Sequence, residues 1–319
     1  MPKKSISEAD LVDLRGKVAI VTGGNTGIGY ATIQMLARKG AKVYMAARDE
    51  GRATAAIKQL QSEDIKDGSV HWHKLDLSDP RAAHKSAEEF LRKEQRLDIL
   101  VNNAASSGTP PFSLTRDGLL DIMVTNHISP FAFTEALLPL QVTTAKEPGA
   151  DVRIVNVSSM VHSRIKATSF ATKDVFAKDY GSSFGGVMDN YGTTKLANIL
   201  HVKALQTRLN TQSIPITCIS LHPGSVHSTG SSSVIGSIPY IGFAAKYLAS
   251  ALLGSWRSGA ATVAFAAAGK DVAVQREQYQ GAYLVPTAVI GTPSKYALDG
   301  RLQNELYEST ERFIKEMGL

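Results

Sequence analysis

Thr22-Gly23-Gly24-Asn25-Thr26-Gly27-Ile28-Gly29 is the stretch on which the fold of this chain turns. It comes after four apolar residues, Val18-Ala19-Ile20-Val21, and opens into an apolar-periodic run that reaches Arg38. A buried strand that passes through glycines straight into a helix suits a phosphate. Gly23 permits the tight turn, while Gly27 and Gly29 let the backbone approach a pyrophosphate at the helix N-terminus. The other members of the turn, Thr22, Asn25, Thr26 and Ile28, are the expected neighbours of such a cofactor. A glycine pattern alone also describes an ordinary strand-to-helix turn, so the reading depends on the rest of the chain.

Beyond the turn, short β-rich runs alternate with longer helical patterns. Strands are expected near 17–22, 42–46, 70–74, 99–101, 153–157, 216–221 and 282–285. Helices are expected near 27–38, 51–61, 80–94, 119–138, 191–209, 259–268 and 303–317. This order predicts an α/β fold: a Rossmann-type doubly wound sheet of about seven parallel strands with helices on both faces. Residues 1–15 read as an N-terminal extension and residues 16–319 as a single dinucleotide-binding catalytic domain. Two segments, 160–190 and 227–256, break the alternation. Loops of that length in a compact domain are typically functional or disordered, so both are expected near substrate.

The 319 residues are 43% apolar and 20% charged, ample for a large core. The net charge of +6 is spread along the chain without a recognition motif, so nucleic acid is not an expected partner. The single cysteine, Cys218, lies in an apolar run and reads as a reduced core thiol. Met1 to Arg15 lacks the apolar region of a signal peptide. Val234 to Gly254 is broken by Pro239 and Lys246 and is a poor membrane span. A soluble, cytoplasmic protein is expected, with membrane-surface contact through that stretch the lesser alternative. His71 and His73 alternate on a strand, but two ligands are too few for a defined metal site, and none is expected.

The second strand ends Val43-Tyr44-Met45-Ala46-Ala47-Arg48. An NAD site usually places an acid here for the ribose 2′-hydroxyl. This chain places Ala47 and Arg48, which removes repulsion of a 2′-phosphate and offers a guanidinium to grip it. NADP(H) is therefore favoured over NAD(H); the plain alternative is a solvated arginine paired with Asp49 or Glu50. Asp76 is positioned at a strand end to meet an adenine amino group, with Leu77 beside it. Asn103 and Ala104 end the next strand and would line the cofactor. Tyr191 and Lys195 stand four apart within a helical pattern and so share a face. An ammonium beside a phenol lowers the phenol pKa from about 10. A phosphate site and a proton site together suggest hydride transfer with tyrosine as acid or base.

On these residues the chain resembles the short-chain dehydrogenases/reductases from about Gly16 to Val285, most closely the retinol-dehydrogenase-like and carbonyl-reductase-like members. The matching elements are Thr22-Gly23-x3-Gly27-x-Gly29, Asp76, Asn102-Asn103-Ala104, Asn126, Val157-Ser158-Ser159, Tyr191-x3-Lys195 and Pro223-Gly224. The resemblance implies a catalytic set of Asn126, Ser159, Tyr191 and Lys195. In it, Tyr191 exchanges the proton and Ser159 bonds the substrate oxygen. Lys195 binds the nicotinamide ribose and depresses the Tyr191 pKa, and Asn126 holds a relay water. Tyr191, Lys195, Pro223, Gly224, Val226 and Ser228 would also hold the cofactor, with Ser228 or Thr229 on the carboxamide. The implied reaction interconverts a ketone or aldehyde and an alcohol on a mostly apolar small molecule. An NADP-binding regulatory protein without turnover, or an epimerase or dehydratase on the same fold, are the alternatives. The family commonly pairs through helices matching 119–138 and 191–209, so a homodimer or homotetramer is implied, with a monomer known among the retinol-dehydrogenase-like members.

Three further expectations concern single positions. Pro130 has no N–H, so the Asn126 carbonyl loses its helical partner; a kink there and a relay water on that carbonyl are expected. Phe176, Tyr180, Phe184 and Met188, with a lid drawn from 228–256, would form an apolar pocket. His162 and His227 are candidates to touch substrate, whereas His127 and His222 read as structural.

Overall fold

The computed structural model describes residues 6–224 and 256–319. Seven strands run parallel: β1 (Val18–Thr22), β2 (Lys42–Ala47), β3 (Ser69–Lys74), β4 (Ile99–Asn102), β5 (Val152–Val157), β6 (Ile216–Leu221) and β7 (Tyr283–Val285). An eighth, β8 (Val289–Gly291), pairs antiparallel with β7 and was not expected from the sequence. The order is β3-β2-β1-β4-β5-β6-β7-β8. Strand order reverses between β1 and β4, which opens a crevice beyond their carboxyl ends. Every residue of β1, β5 and β6 is buried, as a parallel sheet covered on both faces requires. β8 escaped notice because its three residues are too short for a pattern, and Val289 and Ile290 are exposed.

The helices are α1 (Gly27–Arg38), α2 (Glu50–Ser62), α3 (Pro80–Leu91), α4 (Asp121–Met123), α5 (Ser129–Ala145), α6 (Lys173–Ala177), α7 (Phe184–Thr211), α8 (Trp256–Ala268), α9 (Lys270–Val274), α10 (Arg276–Tyr279) and α11 (Gly300–Glu316). One apolar cluster joins a sheet face to α1, α2 and α8; a second joins the other face to α3, α5, α7 and α11. Ile6, Leu11 and Leu14 belong to the first cluster, and the Val12 N–H donates to the Ala268 carbonyl at 2.8 Å. Buried Arg153 closes the end of α8. Its Nη1 donates to the Ala266 carbonyl and its Nη2 to that of Gly269, supplying partners for carbonyls that a helix end leaves open.

Two helices differ from expectation. The helix expected from Tyr191 begins seven residues earlier, at Phe184, with Ser183 as its N-cap. Gly185-Gly186 reads as a loop in sequence, yet a Cβ on Gly186 would lie 2.3 Å from the Tyr180 carbonyl oxygen. That glycine serves a close backbone approach rather than a break. The helix expected over 119–138 is divided into α4, a π-helical turn over Val124–Ile128, and α5. The Ser129 N–H reaches back five residues to the Val124 carbonyl. Pro130, at the second position of α5, supplies no N–H to the turn before it, and the widened turn spans Asn126.

Candidate active site

The cofactor turn is built by bonds between strand ends. Thr22 Oγ1 accepts from the Asn103 N–H at 3.0 Å and the Ala104 N–H at 2.9 Å. Asn103 Nδ2 donates to the Thr22 carbonyl at 2.8 Å and the Gly23 carbonyl at 3.4 Å. Both side chains therefore turn inward and shape the glycine turn. A Cβ on Gly29 would stand 2.5 Å from the Gly23 carbonyl oxygen and 2.6 Å from Asn103 Nδ2, so only glycine fits.

Gly27 differs: its φ is +56° and nothing lies within 4 Å of an added Cβ. Thr26 precedes α1 without a side-chain cap bond. Open space before uncapped helix amides is what an anionic phosphate needs, so these residues fit a dinucleotide.

Arg48 is exposed at the end of β2 and forms no ion pair with a described residue. Asp49, one of the two partners in the alternative reading of Arg48, caps α2 through the Arg52 N–H at 2.9 Å and pairs with the Arg52 guanidinium. Asp76 Oδ1 accepts from the Ser78 N–H and hydroxyl at 3.0 and 2.8 Å, fixing the carboxylate beyond β3; Leu77 beside it is buried. At the end of β6, Gly224 has φ +89° and its N–H donates to His222 Nδ1 at 3.1 Å. Val226, His227, Ser228, Thr229 and the expected lid lie outside the described residues.

The two serines after β5 divide their roles. Ser158 is buried and donates to the Lys195 carbonyl at 2.7 Å. Ser159 is partly exposed, and its Oγ accepts from the Val161 N–H at 3.3 Å. On α7, Tyr191 carries its phenol near enough to Ser159 for that hydroxyl to bear on its pKa, and Lys195 stands one turn further on. Lys195 Nζ donates to the Val157 carbonyl at 3.0 Å and lies 5.3 Å from the Tyr191 ring centroid.

The structure corrects the expectation of an acidic phenol. Burial pushes Tyr191 up to about 12, with the Ser159 bond pulling the other way. The Lys195 ammonium meanwhile donates to the Val157 carbonyl. Burial also brings Lys195 down to about 8.

Asn126 uses its side chain as a cross-brace. Oδ1 accepts from the Ser106 N–H at 2.7 Å, while Nδ2 donates to the Ser106 carbonyl at 2.8 Å and Thr194 Oγ1 at 3.1 Å. It joins the loop after β4 to the residue preceding Lys195. Ser106 and Thr194 carried no sequence signal, because their roles arise only when distant segments meet.

Two further expectations need correction. Phe176 does not line the cleft: it is fully buried between Phe170 and Phe313. His162 is also buried, with both ring nitrogens bonded to backbone, and so presents none to substrate. Phe184 and Met160 remain exposed, Met160 directly after Ser159. His71 and His73 both pack on Tyr44, as two positions of one strand face.

A family model described as short chain dehydrogenase matches residues 17–171. A short-chain dehydrogenase/reductase of Armillaria gallica is 42% identical over 97% of this chain and 96% of its own length. Retinol dehydrogenase 12 of Mus musculus is 39% identical over 68% of this chain and 64% of its own length. Among solved structures, a Pseudomonas aeruginosa RhlG/NADP active-site complex aligns with TM-score 0.62 at 25% identity, covering 86% of this chain and 96% of the other. The chain belongs to the short-chain dehydrogenase/reductase family of oxidoreductases. Among the described residues no helix is long and apolar enough to cross a membrane.

Proposed function

We propose that this chain is an NADP(H)-dependent oxidoreductase that interconverts a ketone or aldehyde and an alcohol on a mostly apolar small molecule in the cytoplasm. The observation that carries the reading is the placement of Tyr191, whose phenol Ser159 influences, with the buried ammonium of Lys195 one helical turn away and 5.3 Å from its ring. A bound nicotinamide supplies or accepts the hydride.

The glycine turn and the first amides of α1 hold the pyrophosphate. Arg48 holds the 2′-phosphate, and Asp76 fixes the adenine end. Lys195 and Asn126 brace the side of the cleft nearest the nicotinamide, Lys195 as the donor to the ribose. Ser159 donates to the substrate oxygen. Tyr191 gives a proton to that oxygen in reduction and takes it back in oxidation. A phenol held at about 12 is protonated at neutral pH, which suits the donor role in reduction. A Lys195 ammonium that turns from the Val157 carbonyl toward the phenol would ease the reverse step.

The NADP complex among the structural relatives supports the cofactor choice, as does exposed Arg48. The apolar substrate is supported by exposed Met160 and Phe184, and by a relative whose name is a retinol dehydrogenase. Phe184 lies seven residues before Tyr191 on α7 and so shares its face.

Two substitutions test the reading with a panel of carbonyls and alcohols. Tyr191→Phe keeps NADPH binding and lowers turnover by about 10²–10⁴-fold; unchanged turnover removes Tyr191 from the chemistry. Arg48→Ala weakens NADPH by about 10-fold and leaves NADH unchanged. Equal losses for both cofactors would reject Arg48 as the phosphate ligand. Binding without NADPH oxidation on any carbonyl would favour the regulatory alternative.

A further inference from the structure

We infer that His162 is a positioning residue: its ring, held between the Ser159 carbonyl and the Ser294 amide, fixes the turn from which the Ser159 hydroxyl faces the cleft. The inference rests on the proposed role of Ser159.

The ring is 3% exposed and both nitrogens are spent. Nδ1 stands 2.7 Å from the Ser159 carbonyl oxygen, and Nε2 stands 3.0 Å from the Ser294 backbone nitrogen. A carbonyl can only accept and a backbone N–H can only donate. Nδ1 must therefore carry the proton and Nε2 the lone pair, so one neutral tautomer satisfies both partners. An imidazolium would set two donors against each other at Ser294.

The surroundings favour that neutral form. The ring packs on Tyr283 of β7 at 5.2 Å between centroids, and His222 packs on the same tyrosine at 5.8 Å. His222 Nδ1 accepts from the Gly224 N–H, so it too bears a lone pair where its partner demands one. Burial lowers both imidazoles; the bond to Ser159 pulls His162 the other way, and His162 disfavours charge on His222. Toward α7, the turn carries the Arg164–Asp189 ion pair.

Topology gives the ring a mechanical role. Ser159 follows β5 by two residues and caps the short 3₁₀ turn Met160–Arg164, and His162 is the middle residue of that turn. Ser294 lies beyond β8, on the far side of β6 and β7. A single ring thus ties the catalytic turn to a segment 132 residues away. Without it, the turn keeps its local bonds and the exposed Arg164–Asp189 pair but loses its buried tie to Ser294, and a displacement near 1 Å at a reacting group costs about 10²-fold in rate.

The test uses the full chain in three arms. In the first, ¹⁵N NMR of wild type reads the His162 tautomer at pH 7. The neutral Nδ1–H form is expected; an Nε2–H form or an imidazolium overturns the inference. In the second, His162→Phe keeps an aromatic ring against Tyr283 and removes both bonds. NADPH affinity stays unchanged, KM changes little, and kcat falls about 10²-fold, with faster hydrogen exchange confined to residues 160–164. Unchanged kcat and exchange overturn it.

In the third, His162→Gln restores one donor and one acceptor and recovers part of kcat and of the protection. No recovery by a folded, NADPH-binding Gln variant counts against it. Should the Phe variant fail to fold, the tautomer and the Gln variant decide. If wild type turns over no carbonyl, the functional reading fails separately, while the tautomer and exchange still judge the turn.

Discussion

Lys195 is 1% exposed, and its ammonium donates to a single described acceptor, the Val157 carbonyl. Desolvation lowers it from 10.5 to about 8, which still leaves it charged at neutral pH. A base whose folded pKa lies below its unfolded value weakens the fold wherever the unfolded chain holds more protons. The penalty is full below pH 8 and vanishes above 10.5. Lys195→Met should therefore raise stability by on the order of 2–3 kcal/mol at pH 7, with the gain fading across that window, while activity is lost. Denaturant unfolding at pH 7 and pH 10 measures it; a variant less stable at pH 7 would show that the Val157 bond outweighs desolvation. The shared face of Tyr191 and Lys195 was legible from their spacing, and Ser159 entered through the family resemblance. The state of the phenol was not legible, because it depends on burial.

At the scale of elements, the glycine turn separates two kinds of glycine that look alike in sequence. Gly27 needs its left-handed backbone but has open space before it, whereas Gly29 would drive a methyl into the Gly23 carbonyl and the Asn103 amide. Gly27→Ala should cost about 1–2 kcal/mol and place a methyl where the pyrophosphate belongs, weakening NADPH with modest loss of stability. Gly29→Ala should lose both stability and cofactor, since it forces the β1 and β4 ends apart. Thermal unfolding with and without NADPH distinguishes them, and the reverse ranking would refute the assignment. Helix cores such as α1 were visible from periodicity. The π turn over Asn126 and the early start of α7 were not. Pro130 marked the first only as an irregularity, and Gly186 concealed the second by resembling a loop.

Across the whole molecule, α11 settles into the groove between α5 and α7. Tyr307 donates to Glu135 of α5 at 2.9 Å, packs on Phe131, and receives the Arg208 guanidinium of α7 at 3.9 Å from its ring centroid. Thr310 meets His127 at 3.0 Å, and Leu302, Leu306 and Phe313 are buried in the same cluster. With α11 in that groove, we expect no symmetric pairing with a second copy through it. Crosslinking at micromolar concentration should therefore give no dimer joined between α5 and α7; a dimer so joined would contradict this.

The sequence by itself determined the parallel doubly wound sheet, the glycine turn and the placement of Tyr191 and Lys195 on one helical face. These arise from local pattern: apolar runs, periodicities and a four-residue offset on one helix. Only the tertiary structure decided that Asn103 braces the turn, that Asn126 ties Ser106 to Thr194, that His162 is buried against Ser294, and that α11 covers α5 and α7. Each is a contact between segments far apart along the chain. Side-chain identity states what a group can donate or accept, but packing selects its partner.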